Sequence, residues 1–126
     1  MSRLLLIGAI GGILLAVATG GDAEARPHTA SAPSRLLVNG AEYSLALSRQ
    51  SIAYGPALIQ FVNRGEDPHD LVLQKVGARS QLKFPEIRSH GMAQLEAHLT
   101  PGHYRLWCSL SGHASLGMRA TLTVRR

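Results

Sequence analysis

The feature that most limits what this chain can become is the spacing around its one cysteine. Cys108 closes a segment, His103–Cys108, in which apolar and polar residues alternate; His113 follows five residues later and Met118 five after that. Met118 in turn opens a second alternating segment, Met118–Val124. Successive side chains of a strand point to opposite faces, so residues two apart share a face. Tyr104, Leu106 and Cys108 therefore lie together, opposite His103, Arg105 and Trp107, and Met118 is in phase with Ala120, Leu122 and Val124. Upstream, His69 is in phase with Leu71 and Leu73. If the apolar sets face a core, His69, Cys108 and Met118 all point inward from the ends of their strands. Such ends meet at one pole of a β-sandwich.

The loop between Cys108 and Met118 carries His113 at its middle, and Gly112 and Gly117 supply the freedom to turn. A thiolate with two imidazoles suits a soft or borderline metal, and a thioether adds the weak, long axial ligand that copper accepts. Zinc prefers four strong ligands and makes little use of Met. The donor types favour copper.

The lone cysteine also bears on where the chain works. Arg3 precedes an apolar run from Leu4 to about Thr19, and the small-residue stretch Gly20–Ala25 follows. This reads as a signal peptide over residues 1–25, cut after Ala25, with a cut near Gly20 or a retained membrane anchor as the alternatives. The apolar run is short for a full span and holds Gly8, Gly11, Gly12 and Gly20. Exported proteins usually pair their cysteines. An unpaired one points to an intermolecular bridge, a buried inert thiol or a metal thiolate, and the neighbours of Cys108 favour the last.

Residues 26–35, rich in Pro, Ala, Ser and Thr, read as a linker, and 36–126 as one domain. Within it, Leu36–Val38 and Tyr43–Leu47 flank Asn39–Gly40, a strong hairpin signal. Ala57–Val62 is strand-like and ends at Asn63–Arg64–Gly65; Leu95–Leu99 is joined to His103–Cys108 by Thr100–Pro101–Gly102. The stretch 78–93 is the least regular, with a helical turn expected around Ser80–Phe84. Short strands at this spacing predict an all-β antiparallel sandwich or barrel.

Two stretches carry a family resemblance: Asn63-Arg-Gly-Glu-Asp-Pro-His-Asp-Leu-Val-Leu73 and Pro101-Gly-His-Tyr-Arg-Leu-Trp-Cys-Ser-Leu-Ser-Gly-His-Ala-Ser-Leu-Gly-Met118. The sequence resembles the cupredoxins, the plastocyanin and azurin group of blue copper proteins, over residues 36 to 125. The resemblance implies a Greek-key sandwich holding one copper ion at His69, Cys108, His113 and Met118, the two His and the Cys in a trigonal plane and the Met axial. It also implies one-electron transfer between Cu(I) and Cu(II). The ligand loop is similar in length to those of the longer-looped, rusticyanin-type members. Asp70 stands where many members carry the Asn that ties the two ligand loops through the residue after the Cys, here Ser109. Asp70 is expected to accept a hydrogen bond from Ser109, and its charge to favour Cu(II) and lower the potential.

The remaining histidines, His28, His90, His98 and His103, read as surface residues, and Met92 is the alternative to Met118. Tyr43, Tyr54, Phe61, Tyr104 and Trp107 read as packing residues. Leu110, Ala114 and Leu116 around His113 are expected to frame one exposed imidazole edge as an electron port. The expected protein is a monomeric electron carrier, exported to the periplasm or another extracytoplasmic space, and not an enzyme. A copper enzyme would need a substrate-binding metal or further copper domains, for which one site leaves little room. The alternative function is copper binding and delivery, which would call for an open Met/His-rich surface cluster that the sequence lacks. After removal of residues 1–25, twelve Lys/Arg face six Asp/Glu, a formal charge of +6. That balance suits redox partner proteins that are acidic or membrane-bound. Nucleic acid fits poorly, because the basic residues are scattered.

Overall fold

A computed structural model describes residues 31–126, so the expected signal peptide and His28 lie outside the described residues. Among the described residues nine strands form two facing sheets: β1 (Ser34–Ala41), β2 (Ser44–Leu47), β3 (Ser51–Ala53), β4 (Gly55–Asn63), β5 (Val72–Lys75), β6 (Leu82–Lys83), β7 (Met92–Leu99), β8 (Gly102–Trp107) and β9 (Arg119–Arg125). One sheet has the order β2-β1-β4-β7 and the other β3-β9-β8-β5-β6. Each sheet contains one parallel pair, β1 with β4 and β3 with β9, among otherwise antiparallel neighbours. No helix occurs among the described residues.

Alternation explains the core. In β4 every second residue, Ala57, Ile59 and Phe61, is buried, as are Leu36 and Val38 of β1, Tyr104 and Leu106 of β8, and Leu122 and Val124 of β9. These faces meet between the sheets, where Phe61 packs edge-on against Phe84 with ring centroids 6.0 Å apart. The hydrophobic effect therefore fixes the phase of each strand, since a slip of one residue would turn the apolar set to water.

The first turn departs from expectation. Asn39 and Gly40 do not turn but continue β1, pairing with Ala46 and Leu45, and the chain reverses at Glu42–Tyr43. The reason lies on the other edge of β1, where the ladder with β4 runs as far as Gly40 opposite Asn63. Gly40 serves close packing instead: a Cβ there would lie 2.8 Å from Phe61 Cε2 and 3.0 Å from Met118 Cε. The expected helical turn near Ser80–Phe84 is also replaced, by β6, a two-residue strand paired to β5.

Candidate metal centre

Three constructions bring the donors to one pole. The first concerns His69, which sits outside the regular strands. It exchanges two backbone hydrogen bonds with Ile87 (His69 N–H to Ile87 O at 3.0 Å, Ile87 N–H to His69 O at 2.7 Å). The preceding loop is fastened by Asn63, which is fully buried. Its amide donates to the carbonyls of Asp67 (2.7 Å) and Ile87 (3.0 Å) and its oxygen accepts the Gly65 N–H at 2.9 Å. Every hydrogen-bonding atom of the Asn63 side chain is thereby used at a buried site, where an unpaired one would be costly.

The second construction is the loop from Cys108 to Met118. The ladder between β8 and β9 continues one step beyond both strands, with Cys108 N–H donating to Met118 O at 3.1 Å. Met118 N–H donates to His113 O at 3.0 Å, so the loop closes on itself. Gly112 and Gly117 have φ of +82° and +116°, values that side-chain-bearing residues rarely adopt. Cys108 and Met118 are fully buried.

The third is a strap between the two ligand segments. Asp70 accepts the peptide N–H of Ser109 at 2.5 Å through Oδ1 and the Ser109 hydroxyl through Oδ2. This is the bond the sequence predicted, and it joins the residue after His69 to the residue after Cys108.

The outcome is a compact donor cluster. His69 Nδ1 and His113 Nδ1 are 3.1 Å apart, and Cys108 Sγ lies 3.5 Å from His113 Nδ1. One ligand atom from each of His69, Cys108 and His113 lies within 4.8 Å of the others. Donors bound about 2.0–2.3 Å from one shared ion stand at such separations. With a buried thioether carried by the same loop, the set fits a type 1 copper ion, as its chemistry of soft sulfur and imidazole requires.

Electrostatics around the cluster are uneven. Burial pushes the Cys108 thiol up, while the peptide N–H groups of Asp70 and Leu110 pull in the opposite direction. Binding a metal as thiolate therefore releases a proton. Glu42, in the turn between β1 and β2, was not singled out from the sequence, yet its Oε1 lies 3.0 Å from His69 Nε2. The Asp67 peptide N–H is the main reason the Glu42 carboxyl titrates at about 2, below its ordinary 4.5; the peptide N–H groups of Glu42 and Glu66 and the His69 ring add to this and outweigh the cost of desolvation. Nothing in the local sequence marks Glu42, because its partner is 27 positions away.

His98, His103 and His90 are exposed, and Met92 is 59% exposed on β7, whereas Met118 is fully buried. Phe61 and Tyr104 are buried core residues, whereas Tyr54 is 55% exposed and packs into no core. Tyr43 packs edge-on against the His113 ring at 4.9 Å. His113 is half-buried, beside Leu110 and Ala114, with Leu116 63% exposed.

No protein-family model matches the sequence, and no curated protein matches it. Solved structures do match in shape. Reduced auracyanin from the photosynthetic bacterium Roseiflexus castenholzii is 16% identical with a TM-score of 0.60, over 76% of this chain and all of that one. Reduced rusticyanin is 18% identical with a TM-score of 0.57, over 72% and 78%. Auracyanin A, described as a blue copper protein of Chloroflexus aurantiacus, is 14% identical with a TM-score of 0.57, over 75% and 100%. The fold is that of the cupredoxins. On that frame the chain carries a His-Cys-His-Met set at the pole where its two ligand segments are strapped together.

Proposed function

We propose that this chain is an exported one-electron carrier holding a single copper ion through His69, Cys108, His113 and Met118. The observation that carries the reading is the meeting of one thiol and two imidazoles, their ligand atoms within 4.8 Å, at one pole of the sandwich. When bound, copper supplies the one-electron couple. The protein's part is to hold the donors in place through both oxidation states, and three features serve that end: the strap from Asp70 to Ser109, the Asn63 fastening and the closed ligand loop. A frame that does not rearrange keeps electron transfer fast. His113, half-buried beside exposed Leu116, offers an edge for contact with a partner protein. Auracyanin A, similar in fold, is described as a blue copper protein, which supports the same reading here. Export rests on the signal-like residues 1–25.

The test is a titration of residues 26–126 with Cu(II), followed optically and by electron paramagnetic resonance through reduction and re-oxidation. One equivalent is expected to give intense thiolate-to-copper colour that bleaches and returns. Cys108→Ser abolishes that colour, and Met118→Leu keeps it with a shifted potential. Tight Cu(I) binding without a stable coloured Cu(II) form would assign the protein to copper delivery instead.

A further inference from the structure

Resting on the copper reading above, we propose that Glu42 is a positioning residue for the centre. Its carboxylate fixes which nitrogen of His69 faces the ligand cluster, and its charge strengthens that imidazole as a donor to Cu(II).

An ionised carboxylate only accepts, so the contact of 3.0 Å between Glu42 Oε1 and His69 Nε2 places a proton on Nε2. The other nitrogen, Nδ1, is the one that faces His113 Nδ1 at 3.1 Å. The His69 side chain has no exposure, whereas Glu42 keeps 28% of its own. The imidazole therefore has no water to choose between tautomers, and Glu42 chooses for it. Metal-bound histidines commonly have their second nitrogen held in this way, which sets ring orientation and raises ligand basicity.

Two independent features show that the carboxylate is seated rather than incidental. The same Oε1 accepts the Asp67 N–H at 2.7 Å, so it is clamped by the loop that delivers His69. Gly65, in that loop, leaves the space the carboxylate occupies: a Cβ at position 65 would fall on the carboxylate atoms of Glu42. Glycine is required there for close approach, and the turn between β1 and β2 is thereby locked to the ligand loop.

The test uses Glu42→Gln, Glu42→Ala and Gly65→Ala. Glu42→Gln keeps size and an accepting oxygen but removes the charge. It is expected to lower the ratio of Cu(II) to Cu(I) affinity about tenfold, equivalent to a rise of about 59 mV for one electron. Gly65→Ala, which displaces the carboxylate, is expected to shift the ratio in the same direction. Combined with Glu42→Gln it should add less than it does alone, as coupled neighbours do. A second readout needs no copper: nitrogen-15 NMR of the His69 ring in the copper-free chain. The wild type is expected to show the Nε2–H tautomer, and Glu42→Ala a mixture. An unchanged affinity ratio in Glu42→Gln, or an unchanged tautomer in folded Glu42→Ala, overturns the proposal. Failure of the wild type to form a coloured Cu(II) centre would remove the copper reading, and the tautomer measurement would still decide the role of Glu42 toward His69.

Discussion

Asp70 ties the two ligand segments by accepting two hydrogen bonds from Ser109, one from the peptide N–H and one from the hydroxyl. An Asn could serve the same strap through a single accepting oxygen, so the choice of Asp adds a negative charge beside the cluster. That charge favours the more positive state of a bound ion. Asp70→Asn is therefore expected to raise the reduction potential while preserving the visible spectrum, as measured by redox titration; an unchanged potential would sink the electrostatic argument. The four candidate donors were legible because their chemistry is rare: few reasons exist for a lone Cys with His and Met at equal steps beyond it. Asp70 was legible through the resemblance. Glu42 was not, since its role depends on a turn meeting a loop 27 positions away, a distance that no local pattern spans. Tyr54 shows the complementary failure, an aromatic residue that finds no core and stays in solvent.

At the scale of elements, strand phase was readable wherever apolar and polar residues alternate, as in β4, β8 and β9. Turns were less so. The Asn39–Gly40 pair carries a strong local hairpin preference, but β1 is paired on both edges, and continuing the ladder to Ala41 satisfies more backbone groups than turning early. Residue 40 is then held against Phe61 and Met118. Gly40→Ala is expected to destabilise the fold by about 1–3 kcal/mol, the usual cost of overpacking, measured as a lower denaturant midpoint with an unchanged slope. Because Met118 Cε is one of the atoms in the way, the same substitution should also alter the colour of the copper-loaded protein. β6 was missed for a different reason. Two residues are too few to show a period, and their strand state comes from Val72 and Leu73 alongside them.

For the molecule as a whole, charge is distributed unequally. Four acidic residues, Glu42, Glu66, Asp67 and Asp70, lie within or against the segment that delivers His69. The outer face of the sheet β3-β9-β8-β5-β6 carries Lys83, Arg105, Arg119 and Arg125 and no carboxylate. Arg105, Trp107 and Arg119 line a groove of about 520 Å³ on that face, running up to Ala114 of the ligand loop. A positive surface beside the site raises encounter rates with anions, and salt screens it. Oxidation of the reduced protein by hexacyanoferrate(III) is expected to slow about tenfold between low and physiological ionic strength. In the double variant Arg105→Glu and Arg119→Glu, stopped-flow kinetics should show a slower reaction with a flatter salt dependence.

The closed loop from Cys108 to Met118 has a bearing on unfolding. On the proposed ligand set, three of the four donors lie within eleven consecutive residues, and only His69 reaches them through the folded sheets. Denaturation separates His69 from the rest but leaves the other three side chains neighbours along the chain. The unfolded polypeptide thus keeps a partial chelate, and a ligand retained by the unfolded state stabilises the native one by less than its full affinity. Copper on this protein would act as a modest stabiliser and a sensitive reporter: loss of the His69 nitrogen changes the colour as soon as the two ligand segments part, even while the ion stays attached.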